Sequence, residues 1–305
     1  MENSIMTENA FGAIELGGTK TFVLIAKDRS KIYSRKIFPT LSPKQTIMDI
    51  SNFFREQTNT FNVKLKSIGI GSFGPLDLDP ESKTFGYITS TPKLEWRFTN
   101  LKGNIENGLQ TPVVIDTDVN ASALGEFQSL LDQDIDCFVY ITIGTGIGAG
   151  FIVNGKLVHG LVHPEFGHIK IPHDKRIDPF IGICPYHQDC FEGLASGPAL
   201  EERWHISPNL LPKHHMAWEL EADYISLALM NLICTISPQK IILGGGVMHQ
   251  TQLFEKIHRK TRNLLNNYIK SKYLEDHIHE LITPPQLKDN SGILGALDLA
   301  INNSR

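Results

Sequence analysis

The feature that most constrains the fold is a strand–turn–strand pattern that occurs twice. At residues 11–26 two apolar runs flank the sequence Gly-Gly-Thr-Lys. At residues 137–153 two apolar runs flank Gly-Thr-Gly-Ile-Gly, and an Asn-Gly pair follows. Glycine-rich turns between apolar runs are typical of hairpins. The chain has 305 residues, which exceeds the usual size of a domain with a single hydrophobic core. Two copies of the pattern therefore predict two related lobes.

Composition narrows the class of protein. Hydrophobic residues make up 41% of the chain and charged residues 20%, as in a globular enzyme. The net charge is -4 with Lys and Arg scattered, so nucleic acid is not an expected partner. The start lacks a signal-peptide pattern, and no apolar run approaches the ~18 residues that span a membrane. We therefore expect a cytoplasmic protein with no membrane partner.

Glycine segments in the chain are candidates for binding phosphate or a base. In the first turn, two glycines let backbone amides approach an anion, Thr19 adds a hydroxyl and Lys20 a cation. A tight structural hairpin has the same pattern. The triple glycine at 244–246 lies between a buried strand and a helix, where a purine can rest against the backbone.

The dinucleotide fingerprint occurs twice but in the wrong context. Residues 69–74 spell G-x-G-x-x-G, and residues 144–149 fit the pattern loosely. A dinucleotide site needs a helix to begin there, whereas a proline-rich loop follows the first and a strand follows the second. We exclude a nicotinamide cofactor on this ground.

Asp118 ends the predicted strand at 111–118, and a helix begins at Asn120. In open α/β folds ligands bind at this strand edge, and nearby helix amides keep a carboxylate ionised and able to accept a proton. Asp at such a junction is also a common helix cap. The pattern leaves both roles open.

A metal site is predicted around residue 187. Cys184, His187 and Cys190 are each three residues apart on a loop rich in Pro and Gly, and His168 offers a fourth ligand. This set suits a tetrahedral Zn²⁺ that is structural, since no coordination position remains for water. The alternative is that these are ordinary loop residues.

Glu165 and Glu192 flank the predicted ligands. A metal-bound loop would present both carboxylates rigidly, as a pocket that accepts hydrogen bonds from sugar hydroxyls requires. In the loop-rich segment that ends at Trp96, we expect this side chain to be exposed and available to line a cleft; an ordinary connection is equally consistent. Cys137 and Cys234 lie in apolar runs that indicate burial. Disulfides are not indicated.

Six motifs together resemble the ROK family (repressor, open reading frame, kinase), and within it the bacterial fructokinases. They lie, in order between about residues 12 and 300, at 17–20, 117–120, 144–148, 165–168, 184–190 and 244–248. The resemblance implies an α/β, actin-like ATPase (RNase-H-like) fold of two lobes with a cleft between them. Residues 1–118 would form the smaller lobe, with helix 292–305 packed on it, and residues 119–291 the larger lobe, with the zinc loop at 163–193.

The same resemblance implies an ATP-dependent fructokinase that makes D-fructose 6-phosphate, with Asp118 as general base. It implies structural Zn²⁺ on His168, Cys184, His187 and Cys190. Sugar contacts are expected from Gly74, Pro75, Thr117, Glu165, His168 and Glu192. ATP and its Mg²⁺ are expected at Gly17, Gly18, Thr19, Lys20, Thr145, Gly146, Gly197, Pro198, Gly244, Gly245, Gly246, Val247 and Met248. A homodimer is also expected from the resemblance.

Three positions differ from much of the wider family. Glu15 stands where Asp is common, which leaves its part in Mg²⁺ handling open, and Thr117 and His187 stand where Asn and Cys are common in glucokinase-like members. The alternatives are a kinase for mannose, glucose or N-acetylmannosamine, and a sugar-responsive repressor. The repressors have a helix-turn-helix module, and only about ten residues precede the first strand here.

Overall fold

The structure is a computed structural model that describes residues 8–303. It divides the chain into two compact units. Within the described residues, unit 1 comprises 8–129, 159–163 and 289–303, and unit 2 comprises 130–158 and 164–288.

Unit 1 is built on a five-stranded sheet in the order β3-β2-β1-β4-β7. Strands β1, β2 and β3 are antiparallel, and β1, β4 and β7 are parallel. Its elements up to residue 129 are β1 Glu8–Leu16, β2 Lys20–Ala26, β3 Ile32–Pro39, α1 Pro43–Phe61, β4 Val63–Ser72, β5 Tyr87–Ile88, β6 Thr99–Asn100, α2 Leu101–Leu109, β7 Val113–Thr117 and α3 Asp118–Gln128.

Unit 2 repeats this topology in a second five-stranded sheet, in the order β10-β9-β8-β11-β12. Its elements are β8 Cys137–Ile143, β9 Ile147–Val153, β10 Lys156–Leu157, α4 Phe191–Ala195, α5 Gly197–Trp204, α6 Ala217–Ile236, β11 Lys240–Gly244, α7 Gln252–Leu265, α8 Lys272–Glu275, α9 Ile278–Leu281 and β12 Ile282–Thr283. The chain ends with α10 Ser291–Asn302, in unit 1. The predicted pair of glycine-turn hairpins is confirmed as β1–β2 and β8–β9.

Helices cover both faces of the unit 1 sheet. Phe53 and Phe54 of α1 are buried in one core cluster, together with the apolar side chains of β1 and β4. Leu297 of α10 is buried in another, with Ala13 and Leu24 of β1 and β2. Because β4 is covered on both sides, every position of its second half is buried, including Ser67 and Ser72.

The parallel strands bring the predicted unit 1 residues to one edge. Leu16 pairs with Ser72, and Ser72 pairs with Thr117, so β1, β4 and β7 end side by side. The first glycine turn, the Gly74-Pro75 peptide, which is cis, and Asp118 follow directly on these three strands. The carboxyl edge of a sheet thereby collects residues that are a hundred positions apart in the chain.

The structure corrects two expectations of burial. Trp96 is 2% exposed, packs against Phe73 and donates its indole N–H to the Leu41 carbonyl at 3.0 Å, so it belongs to the core. Cys234 is exposed on α6 and Cys137 is half-buried. An apolar run on a helix has an outer face, and a tryptophan in a loop can still fold inward.

Between residues 8 and 303, no helix has both the length and the apolar character that crossing a membrane requires.

Candidate active site

The first glycine turn is closed by its own backbone. Gly17 N donates to Lys20 O at 3.0 Å, and Thr40 Oγ1 donates to Gly17 O at 2.8 Å. Thr19 and Lys20 are exposed. A rigid turn with an exposed hydroxyl and ammonium can serve as a phosphate contact.

Three glycine segments of unit 2 meet at one place. Gly197 N donates to Gly144 O at 2.7 Å, which joins the start of α5 to the β8–β9 turn. A Cβ on Gly144 would lie 3.5 Å from Gly246 N, and one on Gly197 would lie 3.8 Å from Val247 Cγ2. The structure thus assembles the segments 144–148, 197–198 and 244–248, which lie far apart in sequence. With no side chain between backbone and ligand, they can hold a nucleotide's phosphates and base.

Asp118 is the first residue of α3, and Thr117 takes the capping role. The Thr117 hydroxyl accepts a hydrogen bond from Asn120 N at 3.1 Å. Asp118 Oδ1 accepts from Val119 N at 2.8 Å. Burial raises the pKa of the Asp118 carboxyl, and the backbone hydrogen bonds oppose this shift. A carboxylate that does not cap the helix and has a raised pKa can act as a general base.

Glu15, at the end of β1, lies between Asp118 and the start of α10. Burial, together with the Asp118 charge, raises the pKa of Glu15 to about 7, while a hydrogen bond from the Ile293 amide opposes the shift. Its Oε2 is buried without a hydrogen-bond partner among the described residues. A side chain on Gly292 would collide with this carboxyl group, so glycine is needed there.

The four predicted metal ligands converge within unit 2. All their ligand atoms lie within 4.8 Å of one another. His168 Nδ1 lies 3.7 Å from Cys184 Sγ and 3.6 Å from Cys190 Sγ, and His187 Nδ1 lies 3.7 Å from Cys184 Sγ. Bond lengths of about 2.1 Å to nitrogen and 2.3 Å to sulfur at a tetrahedral angle separate the two atoms by about 3.6 Å. The spacing therefore fits a tetrahedral zinc.

Burial affects the protonation of the predicted ligands. Burial raises the pKa of the Cys190 thiol to about 11. A bound cation would be needed to hold both sulfurs as thiolates at neutral pH. His168 directs Nδ1 at the sulfurs, which leaves Nε2 as the ring nitrogen that could contact a ligand.

The two predicted sugar-binding carboxylates differ in their surroundings. Glu192 Oε2 accepts a hydrogen bond from Ile147 N at 2.8 Å, which leaves Oε1 for a ligand. Glu165 is exposed, and its carbonyl accepts a hydrogen bond from His168 N at 3.0 Å. Sequence reasoning missed the Ile147 and Ile293 amides, since a backbone donor leaves no mark in the sequence.

A family model and several known proteins match almost the whole length of this chain. The ROK family model matches residues 11–303. A relative from Bacillus subtilis (strain 168) is 47% identical over 289 residues, and the match covers 95% of this chain and 94% of the relative's chain. The fructokinase of Lactococcus lactis subsp. cremoris is 41% identical over 291 residues, covering 95% and 96%.

The fold is also that of solved proteins. The structure is similar to a ROK family glucokinase from Streptomyces griseus, solved in complex with glucose and AMPPNP, with a TM-score of 0.72, 25% identity and coverage of 96% of this chain and 99% of that one. The predicted actin-like ATPase fold is confirmed by this likeness. The chain belongs to the ROK family.

Proposed function

We propose that this protein is an ATP-dependent fructokinase that converts D-fructose to D-fructose 6-phosphate. One observation carries the choice of substrate. Relatives named fructokinase, from Lactococcus lactis, Streptococcus mutans, Zymomonas mobilis and Pediococcus pentosaceus, are 38–41% identical over 95% of the chain. The relatives named glucokinase are 26% identical.

The proposed reaction type rests on two kinds of site residue, a general base and groups that contact phosphate. Phosphoryl transfer has a loose transition state, so the protein must align donor and acceptor and stabilise spread charge, without forming a covalent intermediate. In unit 1, Asp118 orients the acceptor hydroxyl of the sugar and takes its proton. Lys20 and the amides of residues 17–19 contact phosphate oxygens.

In unit 2, the assembled glycine segments bind the nucleotide; the Streptomyces griseus glucokinase, solved with AMPPNP, supports ATP as the phosphoryl donor. Mg²⁺, which ATP-dependent kinases use, supplies charge neutralisation on the phosphates when bound. Glu165 and Glu192 Oε1 accept hydrogen bonds from the sugar hydroxyls, and the Nε2–H of His168 donates one. Zn²⁺ on His168, Cys184, His187 and Cys190 holds the loop that carries these groups.

A kinase assay with ATP and Mg²⁺ over fructose, mannose, glucose and N-acetylmannosamine tests the proposal. The highest kcat/KM is expected for fructose. A clear preference for another hexose would replace fructose and keep the reaction. No turnover with any of the four would contradict a kinase for these hexoses, and specific, salt-sensitive binding to promoter DNA would then favour the repressor role that some ROK members have.

A further inference from the structure

Residues His159–His163 belong to unit 1, although unit 2 residues precede and follow them in the chain. The segment is attached at both ends by imidazoles. His159 Nε2 lies 2.8 Å from Asp116 Oδ2, and His163 Nε2 accepts a hydrogen bond from Leu76 N at 3.4 Å. Leu161 between them is fully exposed. Apolar burial of Leu161 therefore does not hold the segment, and the two histidines do.

The residue that His159 contacts supports the junction between β7 and α3, where Asp118 lies. Asp116 is 4% exposed. Its Oδ1 accepts hydrogen bonds from Thr117 N at 2.8 Å and from Asn120 Nδ2 at 2.7 Å. Asp116 thus holds one residue on each side of Asp118, and His159 occupies its second oxygen.

We propose that His159 is a positioning residue for phosphoryl transfer, which donates its Nε2 proton to Asp116 and so fixes the direction of the Asp118 carboxylate. The inference rests on the proposed function, in which Asp118 is the general base. A buried carboxylate oxygen that loses its donor is left without that hydrogen bond and turns toward another partner. When Asp116 turns, its bonds to Thr117 N and Asn120 Nδ2 weaken, and the first turn of α3 loosens.

A matched pair of substitutions tests the donor. His159→Gln places an amide N–H close to the position of Nε2, whereas the shorter amide of His159→Asn cannot reach Asp116. We expect His159→Asn to lower kcat with fructose by roughly 10-fold to 100-fold, the scale of a catalytic group displaced by about an ångström. KM for ATP stays unchanged, and His159→Gln recovers most of the rate. The exposed His214→Gln serves as the control.

The coupling to Asp116 is measured by a double-mutant cycle. Asp116→Asn removes the same carboxylate that His159 contacts. If His159 acts through Asp116, the double variant His159→Asn/Asp116→Asn is no slower than the slower single variant. Independent, multiplying losses would overturn the proposal.

Hydrogen exchange of the amides of Thr117, Val119 and Asn120 provides a readout that needs no turnover. Faster exchange in His159→Asn, and native exchange in His159→Gln, supports the positioning role even if the wild type phosphorylates no hexose, which would refute only the proposed function. Unchanged exchange together with an unchanged kcat in His159→Asn overturns the inference. If His159→Asn does not fold, a His159→Gln variant with the rate and exchange of Asp116→Asn overturns it as well.

Discussion

Glu192 Oε2 accepts a hydrogen bond from Ile147 N at 2.8 Å, so the helix that follows the loop with the predicted metal ligands is bonded directly to the second glycine turn. A Cβ on Gly146 would lie 2.9 Å from the same oxygen. Glu192, which we propose binds the sugar, and the second glycine turn, which we propose binds the nucleotide, are therefore in contact within unit 2.

The first prediction follows from this contact. Gly146→Ala forces Glu192 to shift, and we expect kcat/KM for fructose to fall by about 10-fold or more, as for other misplaced site groups. Gly108→Ala is the matched control, since a Cβ there would be 3.7 Å from its nearest neighbour, Ser51 Oγ. Steady-state kinetics measure both variants. Equal kcat/KM in the two would show that Glu192 does not bind the sugar.

The second prediction concerns the metal. Cys184→Ala removes one of four ligands, so zinc measured by mass spectrometry should fall from about one ion per chain to near zero. Melting temperature and fructose affinity should fall with it, while binding of an ATP analogue is largely retained. Cys234→Ala replaces an exposed cysteine and should keep the wild-type zinc content. Full zinc content in Cys184→Ala would refute the site.

The third prediction concerns Asp118→Asn, which keeps the shape of the side chain but removes the base. We expect kcat to fall by about 10²-fold to 10⁴-fold, the usual range for general-base catalysis. Because burial already raises the pKa of this carboxyl, removing its charge should not lower the melting temperature. In the wild type, kcat should rise with pH as Asp118 loses its proton. A wild-type rate in the variant would leave Asp118 without a catalytic role.

The fourth prediction uses the pKa of Glu15, which is raised to about 7 from 4.5. Between these values the folded state binds more protons than the unfolded state, so this group lowers stability as pH rises from about 4.5 to 7 and no further above 7. Glu15→Gln cannot ionise. It should therefore be more stable than the wild type by up to about 3 kcal/mol at pH 8, with little difference at pH 4.

Urea unfolding of both proteins at pH 4, 6 and 8 measures this difference. Glu56→Gln, which removes an exposed carboxyl group of α1, is the matched control. A stability difference between Glu15→Gln and wild type that stays constant with pH would mean that Glu15 is ionised throughout this range.

Sequence alone determined the features that depend on local pattern. The glycine-turn hairpins predicted at 11–26 and 137–153 form β1–β2 and β8–β9, because alternation of apolar runs with Gly-rich turns is enough to specify a hairpin. The Cys-x2-His-x2-Cys spacing predicts three metal ligands on one loop, and His168 is the predicted fourth. The structure then brings the four ligand atoms within 4.8 Å of one another.

Only the tertiary structure decided the contacts that cross the sequence. The meeting of Gly144, Gly197 and Gly246, the bond from Ile147 N to Glu192, and the pairing of His159 with Asp116 join residues 43 to 102 positions apart, or use backbone amides that every residue has. The burial of Trp96 also depends on such contacts, so the expected exposure is wrong. Whether a loop side chain faces the core depends on which strands lie beneath it, and that is set by sheet order rather than by neighbours along the chain.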